Sequence, residues 1–202
     1  KNDIFFCKNI QTDSIVAPMV ESEYAVKKFI QCAAQKKSNL LLINLETFQS
    51  IKNLKHIVKS KYFKSIDGVV IGRSDLAGSM GCAKSFVNSN RIYNIVSKTF
   101  SYIRKLKKNK KILKMGGSIT LNSKKFIQSL FEKKILDYVE TRNIEIKLSK
   151  KSINNFEKII IGSFQFEIEW LKYRIKNKKN LPINLVNNYK KRINEIRHRL
   201  EN

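Results

Sequence analysis

The 202-residue sequence lacks the features of membrane, secreted and metal-cluster proteins. No apolar run approaches the roughly 20 residues needed to cross a bilayer. The N-terminal KNDIFFCKNI has neither an initiator Met nor a signal-peptide-like apolar segment, and it reads like the interior of a longer chain. The three cysteines, Cys7, Cys32 and Cys82, form no CxxC pair, which favours reduced thiols over a metal cluster. We therefore expect a cytoplasmic protein with no membrane partner.

Acidic residues are also scarce, with 16 Asp and Glu against 41 Lys and Arg, giving a formal net charge of +25. The first 100 residues hold 15 basic and 7 acidic side chains, and the remainder hold 26 and 9. Such a charge is typical of polyanion-binding proteins. However, the sequence has no zinc-finger spacing, RNP-like aromatic signature or heptad-plus-basic region. Because Lys, Asn and Ile all have codons made only of A and T, we favour genome composition as the cause and expect no nucleic-acid partner.

Glycine is scarce as well, and three of the seven glycines lie between Gly72 and Gly81, in the stretch IDGVVIGRSDLAGSMG (66–81). An apolar run there ends in glycine and is followed by one acid, Asp75, within a loop of small residues. A buried strand that stops and places an acid beyond its carboxyl end is a common way for an α/β enzyme to present a catalytic or metal-binding group.

What is present is a hydrophobic content of 42% in a length that suits one substantial domain. Apolar runs alternate with amphipathic segments. The pattern predicts strands at 14–20, 39–46, 67–72, 111–117 and 136–146, helices near 22–33, 47–60, 92–107 and 126–131, and a polar loop from 73 to about 90. Buried strands that alternate with helices predict an α/β fold with a parallel sheet covered by helices.

Two acids follow consecutive predicted strands, Glu46 at the end of one and Asp75 just beyond the next. Adjacent parallel strands lie about 4.8 Å apart, so both carboxylates can reach a common point above the sheet. Mg²⁺ and Mn²⁺ accept one or two protein carboxylates and leave other positions to water and substrate. The alternative is that Glu46 caps the following helix and Asp75 caps a turn.

Three segments resemble consecutive βα units of the HpcH/HpaI aldolase / citrate lyase β-subunit family: VAPMVESEYAVKKFI (16–30), LLINLETFQSIKNL (41–54) and IDGVVIGRSDLAGSMG (66–81). The Glu-Thr pair after an apolar strand and the IGxxDL…MG loop are the signature motifs, and the likeness runs over about residues 12–145. The resemblance implies an α/β protein of the (β/α)8 TIM-barrel type, of which this chain carries the last five βα units, the family's fourth to eighth.

The resemblance also implies a divalent-metal-dependent carbon–carbon lyase, aldolase-like or citrate-lyase-like. It would act on a 2-keto acid or acyl thioester through a metal-stabilised enolate. Glu46 and Asp75 would be the ligands of Mg²⁺ or Mn²⁺. The backbone of Gly72, Arg73 and Ser74 would lie against the substrate carboxylate. A small-molecule carboxylate is therefore the expected partner.

The sequence departs from the family in ways that keep other functions open. The general base and carboxylate-binding Arg, which the family supplies from early strands, are expected upstream of Lys1. Arg73 stands where the commoner family pattern has Pro, and His56 and His198 are predicted to be surface residues. The alternatives are a barrel remnant without activity or a non-catalytic basic protein that binds a polyanion.

Other side chains near strand ends have two interpretations each. Lys114 could be a Schiff-base lysine or simply a solvated charge. The glycines and serine at 116–118 could bind an anion through backbone N–H groups or merely form the turn. Glu140 and Arg142 share the same parity on the last strand, so they could face the barrel mouth or form an ion pair with each other.

The pattern changes after the fifth strand. Residues 153–176 predict one long amphipathic helix, Pro182 interrupts the chain, and a basic helix follows at 185–200. We therefore divide the chain into a partial barrel (1–150) and C-terminal helices (151–202). The sequence leaves open whether these helices cover the bottom of a barrel or pack on another subunit, and we expect a homo-oligomer.

Overall fold

The computed structural model describes residues 2–33, 39–106, 110–177 and 181–201. One six-stranded sheet runs through it, with the strands in sequence order. They are β1 (Ser14–Ala17), β2 (Leu40–Asn44), β3 (Gly68–Gly72), β4 (Ile112–Gly116), β5 (Tyr138–Glu140) and β6 (Glu145–Lys147). The first five strands are parallel, and β6 pairs antiparallel with β5. The predicted parallel α/β sheet is confirmed.

Helices cover the sheet and connect its strands. They are α1 (Asn2–Asn9), α2 (Glu23–Ala33), α3 (Phe48–Lys52), α4 (Leu54–Lys59), α5 (Arg73–Ser79), α6 (Asn90–Arg104), α7 (Lys124–Glu132), α8 (Lys150–Asn154), α9 (Phe156–Asn177) and α10 (Ile183–Glu201). Short 3-10 turns occupy Lys61–Ser65, Lys84–Asn88 and Leu121–Ser123. The sequence did not predict α1. The predicted end of α6 at Lys107 lies outside the described residues. Among the described helices, none is both long and apolar enough to span a membrane.

The central position of β3 in the sheet explains why all of its residues are apolar or glycine. All five of its residues are buried, because β2 and β4 flank it and helices cover one of its faces. Val69 and Ile71 belong to the core cluster together with residues from the surrounding helices. Its last residue, Gly72, pairs with Gly116 at the end of β4. These paired strand ends form the floor of the site described below.

The predicted polar loop after β3 is wrong at its start. Residues 73–79 form α5, which begins directly after the strand and buries Leu76 and Ala77. A 3-10 turn at Lys84–Asn88 follows, so the connection is mostly helical. A helix in place of a loop fixes Asp75 in a first turn, where a carboxylate is favoured by the helix dipole.

The predicted strand at 136–146 is also wrong, because it is a hairpin. Thr141 N–H donates to the carbonyl of Ile144 at 2.9 Å, and this bond closes a turn between β5 and β6. The intervening Arg142 and Asn143 are polar and exposed, which suits a turn rather than a buried strand. Only the part before the turn is parallel to the other strands.

The C-terminal helices pack beside the carboxyl ends of the strands. Ser163 Oγ on α9 donates to Thr141 Oγ1 at 2.9 Å, just after β5. Phe164 on α9 and Ile196 on α10 are buried in the same apolar core as the sheet. The helix predicted at 153–176 is split by Asn155 into α8 and α9. The division of the chain into two domains remains a prediction.

Candidate functional site

Four residues form a row across the carboxyl ends of four neighbouring strands: Glu46, Gly72, Gly116 and Glu140. Gly72 pairs with Gly116, while the register of the flanking strands continues to Glu46 on one side and Glu140 on the other. A β-carbon at Gly72 would lie 2.6 Å from Glu46 Oε2, and one at Gly116 would lie 2.9 Å from Glu140 Oε1. Each glycine therefore makes room for the carboxylate of its neighbour.

The carboxylate of Glu46 is buried and held from two sides. Its Oε1 accepts the backbone N–H of Met19 at 3.0 Å, and its Oε2 accepts the Asn44 side-chain amide at 2.8 Å. Burial raises the pKa of Glu46, and the nearby charge of Asp75 raises it further. The following helix is capped by Thr47, whose Oγ1 accepts the Ser50 N–H at 3.1 Å, so the capping alternative for Glu46 is wrong.

The structure brings the second predicted acid to the first. Asp75 lies in the first turn of α5 with an exposed side chain. Its Oδ2 lies 3.5 Å from the position that a β-carbon at Gly72 would take, on the same side as Glu46 Oε2. Two carboxylates from consecutive βα units therefore flank one glycine, as the sequence predicts. Their role as metal ligands stays a prediction.

The donor set fits a hard divalent cation. Carboxylate oxygens are the ligands that Mg²⁺ prefers, and one or two of them suffice when water and substrate complete the shell. In the part of the chain that the structure describes, no group of three or more His, Cys, Asp or Glu side chains converges on one point. The three cysteines are free thiols, as predicted.

Arg73, predicted to contribute its backbone to substrate binding, has a fully buried side chain. None of its six hydrogen-bond acceptors is a carboxylate, and burial lowers the pKa of the guanidinium to about 10. It also stacks 4.9 Å from the ring centroid of Phe126. The acceptors are the carbonyls of Gly116 (3.4 Å), Val87 (3.2 Å), Gly117 (3.0 Å) and Ser118 (3.3 Å), Asn88 Oδ1 (2.7 Å) and Ser123 Oγ (3.3 Å).

The side chain of Arg73 therefore ties the turn after β4 to the end of β3, and only its backbone remains for a ligand. Gly117, with φ +82°, comes so close that a β-carbon there would lie 2.6 Å from Arg73 N and 2.5 Å from Ser74 N. Ser74 Oγ is 3.0 Å from Ser118 Oγ across the same junction. Gly117 and Ser118 thus form the turn after β4, and anion binding by their backbone stays a prediction.

Glu140 and Lys114 form a second charged group on the floor. Lys114 is buried and pairs with Glu145 on β6, so the expectation that it is solvated is wrong. Its Nζ also lies 5.2 Å from the ring centroid of Tyr138. Arg142 pairs with Glu167 at 3.8 Å rather than with Glu140. Of the two interpretations of Glu140, the structure favours the one in which it faces the mouth of the barrel.

A cleft of about 450 Å³ opens above this floor, between the strand ends and the C-terminal helices. Ser74, Asp75 and Glu140 line its strand side. Four basic side chains also line it: Lys84, Arg142, Arg192 and Arg199. Neither Lys84 nor Arg199 was predicted, because only tertiary packing brings the 3-10 turn at Lys84–Asn88 and α10 to the cleft. His56 and His198 are exposed, as predicted.

The fold and the cleft define an α/β protein of the barrel type with paired acids at the carboxyl ends of its parallel strands. The sequence profile of the HpcH/HpaI aldolase/citrate lyase family matches residues 1–116, and the chain belongs to that family. The resemblance drawn from the three βα segments is therefore confirmed. The family is one of aldolases and lyases.

Solved structures agree with this assignment at the level of the fold. RipC from Yersinia pestis has 13% identity and a TM-score of 0.54, with 79% of this chain and 69% of that chain covered. The citrate synthase SbnG has 13% identity and a TM-score of 0.55, covering 81% and 68%. The HpcH/HpaI aldolase from Desulfitobacterium hafniense DCB-2 has 8% identity and a TM-score of 0.52, covering 77% and 65%. No curated protein has a significant sequence match.

Proposed function

We propose that the chain is a divalent-metal-dependent carbon–carbon lyase of the aldolase or citrate-lyase type. The observation that carries the proposal is the meeting of Glu46 and Asp75 over Gly72, at the end of the strands where barrel enzymes hold their active sites. Family membership supports the reaction class. The substrate would be a 2-keto acid or an acyl thioester.

Glu46 and Asp75 would hold Mg²⁺ or Mn²⁺. Bound there, the cation would supply Lewis-acid stabilisation of negative charge on the substrate's oxygen atoms. The chain prepares Glu46 for this role, because Met19 and Asn44 fix both of its oxygen atoms. Burial and the neighbouring Asp75 disfavour a second negative charge, so a cation between them would relieve that repulsion.

The cleft is lined by four acidic and four basic side chains, and the acids Glu167 and Glu195 pair with two of the bases. The other two bases suit an anionic substrate. Lys84 and Arg199 are exposed and line the cleft that contains Asp75. The backbone of Arg73 and Ser74 meets the turn at Gly117 on the same floor. Cationic side chains near a carboxylate pair would hold the substrate's carboxylate while the acids hold the cation.

The first test is the metal-dependent exchange of the methyl hydrogens of pyruvate with D₂O, followed by proton NMR. Pyruvate is the smallest 2-keto acid with an exchangeable carbon-bound hydrogen, so exchange reports enolate formation without knowledge of the full substrate. The wild-type chain is expected to catalyse exchange with Mg²⁺ or Mn²⁺ and to lose it in EDTA. Asp75→Asn should reduce the rate by about 100-fold or more, because metal stabilisation of an oxyanion is worth several kcal/mol.

The matched control is Asp13→Asn, an exposed aspartate just before β1, at the amino ends of the strands and therefore at the opposite end of the sheet from the site. It should exchange pyruvate at the wild-type rate. Exchange that is independent of metal, or equal in Asp75→Asn and Asp13→Asn, would contradict the proposed function.

A further inference from the structure

Glu140 is a carboxylate on the strand side of the cleft that the proposed metal pair leaves unused. It lies level with Glu46, and the two glycines Gly72 and Gly116 separate them. Its carboxylate leans over Gly116, where a β-carbon would lie 2.9 Å from both Oε1 and Cγ. The missing side chain at position 116 therefore leaves Glu140 facing the same space as Asp75.

The surroundings of Glu140 differ from those of the metal pair. Lys114 projects from β4 beneath it and pairs with Glu145, whose side chain is 42% exposed. Glu46 faces Glu140 from the far side of the floor, across β3 and β4. Glu140 lines the same cleft as Asp75, so a molecule held there can exchange a proton with its carboxylate.

We propose that Glu140, rather than a base upstream of Lys1 as the family resemblance implies, is the general acid–base of the site, the group that removes and returns the proton on the carbon next to the substrate's carbonyl. The inference rests on the proposed function. In the removal step the C–H bond breaks and the proton goes to a Glu140 carboxylate oxygen. The C–H electron pair forms the C=C bond of the enolate, and the carbonyl π pair moves to oxygen. In the return step Glu140, whose proton has exchanged with solvent, gives a proton (a deuteron in D₂O) to carbon. The C=C π pair forms the new C–H bond, and an oxygen lone pair re-forms the carbonyl.

The electrostatics of the floor agree with this role. Burial raises the pKa of Glu140, Lys114 opposes the rise, and Glu145 and Glu46 add to it. A carboxyl group whose pKa moves toward neutrality is both a stronger base and a better-populated acid at neutral pH.

The experiment compares the wild type, Glu140→Gln and Glu140→Asp in metal-dependent pyruvate exchange, across pH. Glu140→Gln should exchange at least about 100-fold more slowly, the usual contribution of a positioned general base. Its Mn²⁺ affinity, measured by calorimetry, should stay within about threefold of wild type. Glu140→Asp, which keeps a carboxyl group one methylene further back, should retain part of the rate. The limb of the pH profile that reports the base should be absent from Glu140→Gln.

The matched control is Glu132→Gln, an exposed glutamate on α7 whose partner is Gln128. Glu140→Gln exchange within about threefold of this control would overturn the inference and leave the proposed function standing. Loss of Mn²⁺ affinity together with exchange would also overturn it, because Glu140 would then be a metal ligand. A wild type that binds Mn²⁺ but exchanges the methyl hydrogens of neither pyruvate nor acetyl-coenzyme A would remove the proposed function and this inference with it.

Discussion

At the scale of single residues, two glycines shape the floor of the cleft. Gly72 and Gly116 are paired neighbours on β3 and β4. Because neither has a side chain, the carboxylate of Glu46 occupies the space beside Gly72, and that of Glu140 occupies the space beside Gly116. Neither requires glycine for its φ angle, since neither has a positive φ. Their importance is spatial, which explains why a chain with so little glycine keeps two at the same level of its sheet.

The replacement Gly72→Ala tests this spatial role. The added methyl would lie 2.6 Å from Glu46 Oε2, so the buried carboxylate must move from its two donors. We expect the free energy of unfolding to fall by about 1–3 kcal/mol, the usual cost of overpacking. Urea denaturation measures it.

The control for that measurement is Gly78→Ala on α5. A β-carbon there meets nothing within 4 Å, and alanine is favoured over glycine in a helix. Gly78→Ala should be neutral or about 0.4–1 kcal/mol more stable than wild type. Equal stability of the two alanine variants would show that the space over Gly72 is not filled as described.

At the scale of secondary-structure elements, the C-terminal helices form the second wall of the cleft. Glu167 on α9 is buried, and Arg192 on α10 donates to both of its oxygen atoms, at 2.8 and 3.1 Å. The Glu167 carboxylate raises the pKa of Arg192. This ion pair joins the two helices beside the hairpin turn at Arg142.

Replacing Arg192 should destabilise the packing of α9 against α10. Arg192→Met leaves Glu167 buried with only the exposed Arg142 nearby, and an uncompensated buried charge is expensive. We expect a loss of about 2–4 kcal/mol in the free energy of unfolding. Lys172→Met, which breaks the exposed pair with Glu169, should cost under about 0.5 kcal/mol. Thermal or urea denaturation of both variants checks the difference, and equal losses would contradict the buried pair.

The elements that could be predicted from sequence are those with continuous apolar runs. Strands β2, β3 and β4 coincide with such runs, and the motifs around Glu46 and Asp75 identified the family correctly. The hairpin at 138–147 was missed because a short polar turn interrupts a run that otherwise looks like one strand. The helix α5 was missed because its serines, glycine and aspartate are typical of loops. Arg199 was missed because only tertiary packing brings it to the cleft.

At the scale of the whole molecule, the site reduces stability at neutral pH. The pKa values of Glu46 and Glu140 are raised above their ordinary value, so each group binds a proton more tightly in the folded than in the unfolded state. Their contribution to stability is full below the unfolded pKa and is lost as pH rises through the folded pKa. The nearby charge of Lys114 relieves this cost in part at Glu140.

A bound divalent cation would offset that cost, which makes Mn²⁺ binding the most direct measurement on the site. Calorimetric titration of the 202-residue chain with Mn²⁺ at neutral pH should show a single binding site. Asp75→Asn should weaken binding by about tenfold or more, since it removes one of two charged ligands. Asp13→Asn should bind like wild type. Equal Mn²⁺ affinity in Asp75→Asn and wild type, or no binding to the wild-type chain, would show that Glu46 and Asp75 do not form a metal site.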